Sequence, residues 1–221
     1  MNHYLDHYCE RLAPGFWGEP LNLLSNAAFL IAGILIWRAL YNNRFRWPHV
    51  PRDIIALVVL LFAIGIGSAL WHLTAYYWAL WGDRTPILLF INLYLLSCLF
   101  RVVGMSLAKG IAVFVVYHVI NTGMLLLLPT GFLNGSIFYL PTWLFLSGLT
   151  VMIWQQQAAI RHYYAWALLV FSVALIFRTI DNTICDMLTM GTHFVWHILI
   201  AVTLYLLMYG LIGKYRVIQK S

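Results

Sequence analysis

Residues 54–73 read IIALVVLLFAIGIGSALWHL, and this stretch decides the fold. It holds no Asp, Glu, Lys or Arg, and its apolar positions run on without alternating with polar ones. As a helix of 1.5 Å rise per residue it spans about 30 Å, the thickness of a bilayer's hydrocarbon core. The unbroken run also excludes a transmembrane β-strand, whose two faces alternate. Outward from it, comparable runs place spans at residues 21–41, 54–73, 87–103, 109–128, 133–154, 163–180 and 192–212. The expected fold is all-α, a bundle of seven transmembrane helices. It forms a single integral membrane domain over residues 1–221, with residues 1–20 as an extracytoplasmic segment. No connecting segment is long enough to be a second domain.

Composition agrees. Of 221 residues, 63% are hydrophobic and only 9% charged, against about 25% charged in a soluble domain. Residues 1–20 are polar and aromatic and lack the apolar core of a secretory leader, so the chain is expected to enter the membrane through its own helices. The net charge of +6 is explained by placement. Ten of the thirteen basic residues fall on the face that holds the C-terminus; only Arg11, Arg84 and Arg178 fall on the other. By the positive-inside rule the C-terminus is cytoplasmic and the N-terminus outside, and no nucleic-acid partner is needed. The acidic residues show the opposite bias: all but Asp53 lie on the outer side.

Helix register then gathers the reactive side chains at one depth near the outer interface. Ser68 and His72 close the second span, Asp83 precedes the third, Asp181 follows the sixth, and His193 and His197 open the seventh. An ionisable group within a span is costly and usually faces the bundle interior for a function. Residues four apart share a helical face with Cβ atoms about 6 Å apart, so His193 and His197 suit one metal ion, with His72 as third ligand. Zinc held there would lower the pKa of its water to roughly 7, and Asp83 could take the proton. His118, alone in the fourth span, reads as a packing histidine. Gly65 and Gly67 read as a close helix contact, not a phosphate loop.

At these residues the sequence resembles the alkaline ceramidases, part of a superfamily of seven-helix membrane hydrolases that also includes the adiponectin-receptor-like proteins. The matching pieces are YCE at residues 8–10, EPLNLLSN at 19–26, GSALWHLT at 67–74, DRTP at 83–86, IDNTIC at 180–185 and HFVWH at 193–197. The Ser-x-x-x-His and His-x-x-x-His elements are common to the superfamily; the Cys-Glu, Glu-x-x-Asn-x-x-Ser-Asn and Ile-Asp-Asn-x-x-Cys pieces point to the ceramidase branch. The resemblance implies that His72, His193 and His197 hold a catalytic zinc, that Asp83 helps activate its water, and that Ser68 helps stabilise the oxyanion. It implies hydrolysis of a ceramide-like N-acyl lipid from the bilayer to a sphingoid base and a fatty acid. It also implies a disulfide between Cys9 and Cys185, and a calcium ion held by the N-terminal segment, for which Asp6, Glu10 and Glu19 are the candidates. Here His7 and Leu12 stand where that pattern has oxygen donors, and calcium needs six to eight. A calcium-free segment, with Glu10 as a helix cap or an arginine's partner, is the alternative.

Two other functions fit the same residues: a receptor or transport protein with a structural or regulatory zinc, and the same site acting on another lipid bond. A retinal-type photoreceptor is disfavoured, because the seventh span has no interior lysine. The short loops suggest a bacterial inner membrane with the site facing the periplasm, or an endomembrane with a luminal site.

Overall fold

The computed structural model describes residues 8–42, 50–129 and 131–218. Among them seven helical stretches are long and apolar enough to cross a membrane, and the protein is an integral, multi-pass membrane protein. The first span joins α1 (Pro20–Ser25) to α2 (Ala27–Asn42). The others are α3 (Arg52–Thr74), α4 (Tyr77–Ser97), α5 (Leu107–Leu127), α6 (Leu140–Gln156), α7 (Arg161–Ile180) and α8 (His193–Ile218).

Local chemistry sets the ends. Pro20 opens α1 at the first helical position, where its missing N–H costs nothing. Ala75 ends α3 in the left-handed region at φ 58°. Gly104, at φ 76°, ends the π-helical turn Cys98–Val103 that follows α4.

The third span begins ten residues earlier than the sequence reading placed it. Residues 74–86 fell between two spans in that reading, but α4 runs from Tyr77 with Pro86 inside it. A mid-helix proline leaves the carbonyl four residues back without its helical donor, a loss that transmembrane helices tolerate when a neighbour compensates. That carbonyl belongs to Gly82, and it lies against Gly67 of α3, where a Cβ would collide with it. Gly65, two residues earlier, packs on Asn26, Phe29 and Leu30 of the first span. The pair is the close helix contact that the sequence suggested.

α3 packs on α4, α7 packs on α8, and α8 also meets α1 and α2. Ile36, Ile54, Leu57, Leu61, Met208 and Leu211 form the fully buried centre. α5 is peripheral, burying only Gly110 and Tyr117. Apolar side chains such as Ile31, Val59, Val116 and Val151 are exposed, as expected of a surface that meets lipid. Polar groups at depth pair with one another. The Tyr94 hydroxyl donates to the Leu207 carbonyl at 2.9 Å, and His118 bonds Asn92 at 2.8 Å. At the end of the bundle away from the histidines, Arg101 grips Asp53 with two hydrogen bonds of 2.7 Å.

Candidate metal centre

His72 lies on the last turn of α3, and His193 and His197 lie on the first two turns of α8. All three are at most 3% exposed, and their ligand atoms lie within 4.8 Å of one another. The ring centroids are 4.6–5.4 Å apart. Among the described residues this is the one group of three or more His, Cys, Asp or Glu able to share an ion.

The surrounding hydrogen bonds fix which nitrogens face inward. Nδ1 of His72 donates to Oε2 of Glu19 at 2.7 Å, while its buried Nε2 has no hydrogen-bond partner. Nδ1 of His197 meets Ser25 Oγ at 2.8 Å. That hydroxyl's single proton goes to the Asn22 carbonyl at 2.9 Å, so the imidazole must donate and its Nε2 keeps a lone pair. Outer partners that set the tautomer in this way are typical of metal-bound histidines. The donor set therefore fits a divalent metal such as zinc.

Each supporting group has a cause in the local sequence. Asp181 caps α8 by accepting from the backbone N–H of Thr192 at 2.6 Å and of His193 at 3.0 Å, where a carboxylate also complements the helix dipole. Gly191, at φ 59°, has Asp181 and Cys9 packed where a side chain would go. Cys9 and Cys185 form a disulfide across a sequence separation of 176 with a Cα–Cα distance of 5.1 Å. The disulfide anchors the N-terminal segment over the site. Tyr8 stacks on His193 at 4.0 Å, and burial pushes its phenol above the ordinary range.

The acidic residues named from sequence fall in different places. Asp6 lies outside the described residues. Glu10 caps α1, its two oxygens accepting from the N–H of Leu21 at 2.7 Å and of Asn22 at 2.8 Å. Burial pushes its carboxyl upward while those donors pull the other way. Glu19 is fully buried. It takes hydrogen bonds from Arg11, from Asn22 and from His72, with the Arg11 guanidinium 4.6 Å from the Trp71 ring centroid. Glu10 is thus a helix cap and Glu19 the partner of Arg11, and calcium is unsupported. Sequence reasoning missed Glu19 and Ser25 as outer partners of the histidines.

Ser68 is buried one turn below His72, with the Asp83 carboxyl as its neighbour. Asp83 stands inside α4, not before it. Both line a cavity of ≈ 140 Å³ together with His193, His197 and Arg178. The cavity runs down into the bundle between apolar walls that include Phe90, Leu95, Leu204 and Leu207. It combines a polar end, able to grip a reacting group, with a greasy interior suited to an acyl chain.

A family model described as Ceramidase matches residues 7–219. Among curated proteins, none matches the chain.

Proposed function

The chain belongs to the ceramidase family, hydrolases of the ceramide amide bond, and on that premise we propose a zinc-dependent intramembrane amidase that cleaves ceramide-like N-acyl lipids to a sphingoid base and a fatty acid. One observation carries this reading: the buried three-histidine cluster opens onto an apolar cavity. A structural zinc is closed by four protein ligands, whereas a catalytic one keeps a position open. Among the described residues the cluster offers three ligands, and two of them line the cavity. This favours turnover over a receptor with a structural metal.

In this mechanism His72, His193 and His197 hold the ion. When bound, zinc lowers the pKa of a coordinated water to about 7 and so supplies a nucleophile at neutral pH. Asp83 takes a proton from the attacking water and delivers it to the amide nitrogen as the C–N bond breaks. Ser68 first orients that carboxylate and then turns its hydroxyl to the carbonyl oxygen, where negative charge develops. Tyr8 and the disulfide-anchored segment shield the histidines from bulk water. The acyl chain lies along the apolar cavity.

The roles of Asp83 and Ser68 are tested by lipid mass spectrometry on purified, metal-loaded protein. Asp83→Asn is expected to lower ceramide turnover by about 10²–10⁴, the usual contribution of a general base. Ser68→Ala is expected to lose about 10², the scale of one oxyanion donor. Both variants should keep their zinc. Full turnover in Asp83→Asn would remove this mechanism.

A further inference from the structure

Arg178 has no part in the mechanism above, yet it lines the same cavity as Asp83, His193 and His197. It lies on the last turn of α7. Its guanidinium carbon is 5.2 Å from the ring centroids of both Tyr139 and Trp196. Arg178 thus shares one cavity wall with two histidines of the cluster. Among the described residues Arg178 makes no ion pair, and its buried Nε has no hydrogen-bond partner. Aromatic faces offset part of the cost of holding a cation there. They leave the in-plane Nε–H without a partner, and a guanidinium fork matches a carboxylate.

The setting of Arg178 is built, not incidental. Leu133, Asn134 and Gly135 are all left-handed, at φ 52°, 53° and 73°. Asn134 ties this bend to α7 by donating to the Arg178 carbonyl at 3.0 Å, and it accepts from Asn182 at 2.9 Å. The bend leads directly into Phe138 and Tyr139. The ring of Tyr139 takes Arg178, and the ring of Phe138 lies 6.0 Å below the guanidinium of Arg84, a second cation at the cavity wall.

We propose that Arg178 is the carboxylate-binding residue of this cavity, so that the lipids it handles best present a carboxylate beside the histidine cluster. The carboxylate has two sources. It belongs to the amine half of the substrate, as in an N-acyl amino acid, or to the fatty acid released. The inference rests on the amidase reading and deepens it. In the first case water adds its oxygen to the acyl carbon, the C–N bond breaks and the nitrogen takes the proton, giving a fatty acid and an amino acid.

A matched pair of probes separates the cases. N-palmitoylglycine and N-palmitoylethanolamine share chain and amide and differ only in carboxylate against hydroxymethyl. Wild-type protein is expected to favour the acid in kcat/KM by about tenfold or more, the fold-change of one charge-assisted hydrogen bond, with the difference in KM. Arg178→Met should bring the ratio close to one, and Arg178→Lys should keep part of it. Palmitate and hexadecanol, as competitors of a fluorescent fatty acid, form the second pair. If only the palmitate preference depends on Arg178, the carboxylate is the product's. If neither preference depends on Arg178, or Arg178→Met weakens both members of each pair equally, the proposal is overturned. The competition assay needs no turnover, so failure of the amidase reading leaves it decisive. Retained zinc and melting temperature report folding, and Arg178→Gln replaces the Met variant should that one fail to fold.

Discussion

Glu19 ties the N-terminal segment to the histidine cluster. Its carboxylate is fully buried between Arg11 and His72, and so orients the His72 ring while being neutralised by a cation. Glu19→Gln is expected to lower zinc affinity by about 10–100-fold, as loss of an outer-sphere carboxylate does elsewhere, measured by competition with a chelator. Arg11→Met strands the carboxylate and should cost on the order of 3–5 kcal/mol. The double variant should regain part of that stability in thermal unfolding without regaining zinc affinity. The sequence marked Glu19 as a candidate cation ligand, and the cation it meets is Arg11. Which cation reaches a carboxylate depends on how the N-terminal segment folds back over α3, and spacing along the chain does not encode that. The three histidines were legible for the opposite reason: the four-residue spacing of His193 and His197 and the depth of all three in their spans are local.

At the scale of elements, the approach of α3 to α4 sets the distance between Ser68 and Asp83. Gly67 lies against the Gly82 carbonyl that Pro86 leaves free. Gly67→Val should push α4 outward, at a cost of about 1–3 kcal/mol typical of overpacking, and should reduce turnover while zinc is retained. Gly82→Ala is the control, because a Cβ there meets open space, and it should leave both melting temperature and turnover unchanged. The start of α4 was missed because Asp83, Arg84 and Pro86 interrupt the apolar run there. Only the facing glycine, brought by tertiary packing, makes an internal proline tolerable. The disulfide between Cys9 and Cys185 is the other tie at this scale. Replacing both cysteines with serine should cost about 2–5 kcal/mol, read as a lower melting temperature that reductant lowers no further.

For the molecule as a whole, hydropathy alone revealed seven spans, because a bilayer demands length and apolarity that no soluble helix needs. The direction of insertion rests on the charge asymmetry. A reporter that fluoresces only in the cytoplasm should therefore light up when fused to the C-terminus and stay dark at the N-terminus. The cavity was beyond the sequence, because its walls come from distant helices whose facing sides carry no periodic mark. The central claim, that His72, His193 and His197 hold one ion that the hydrolysis requires, has a direct measurement. Purified wild-type and His72→Ala proteins would be analysed for metal and for ceramide cleavage in the same preparation. The expected result is close to one zinc per chain with release of fatty acid in the wild type, and loss of both in the variant. Metal-free wild-type protein that still cleaves ceramide, or a His72→Ala protein with full zinc and full activity, would contradict the account.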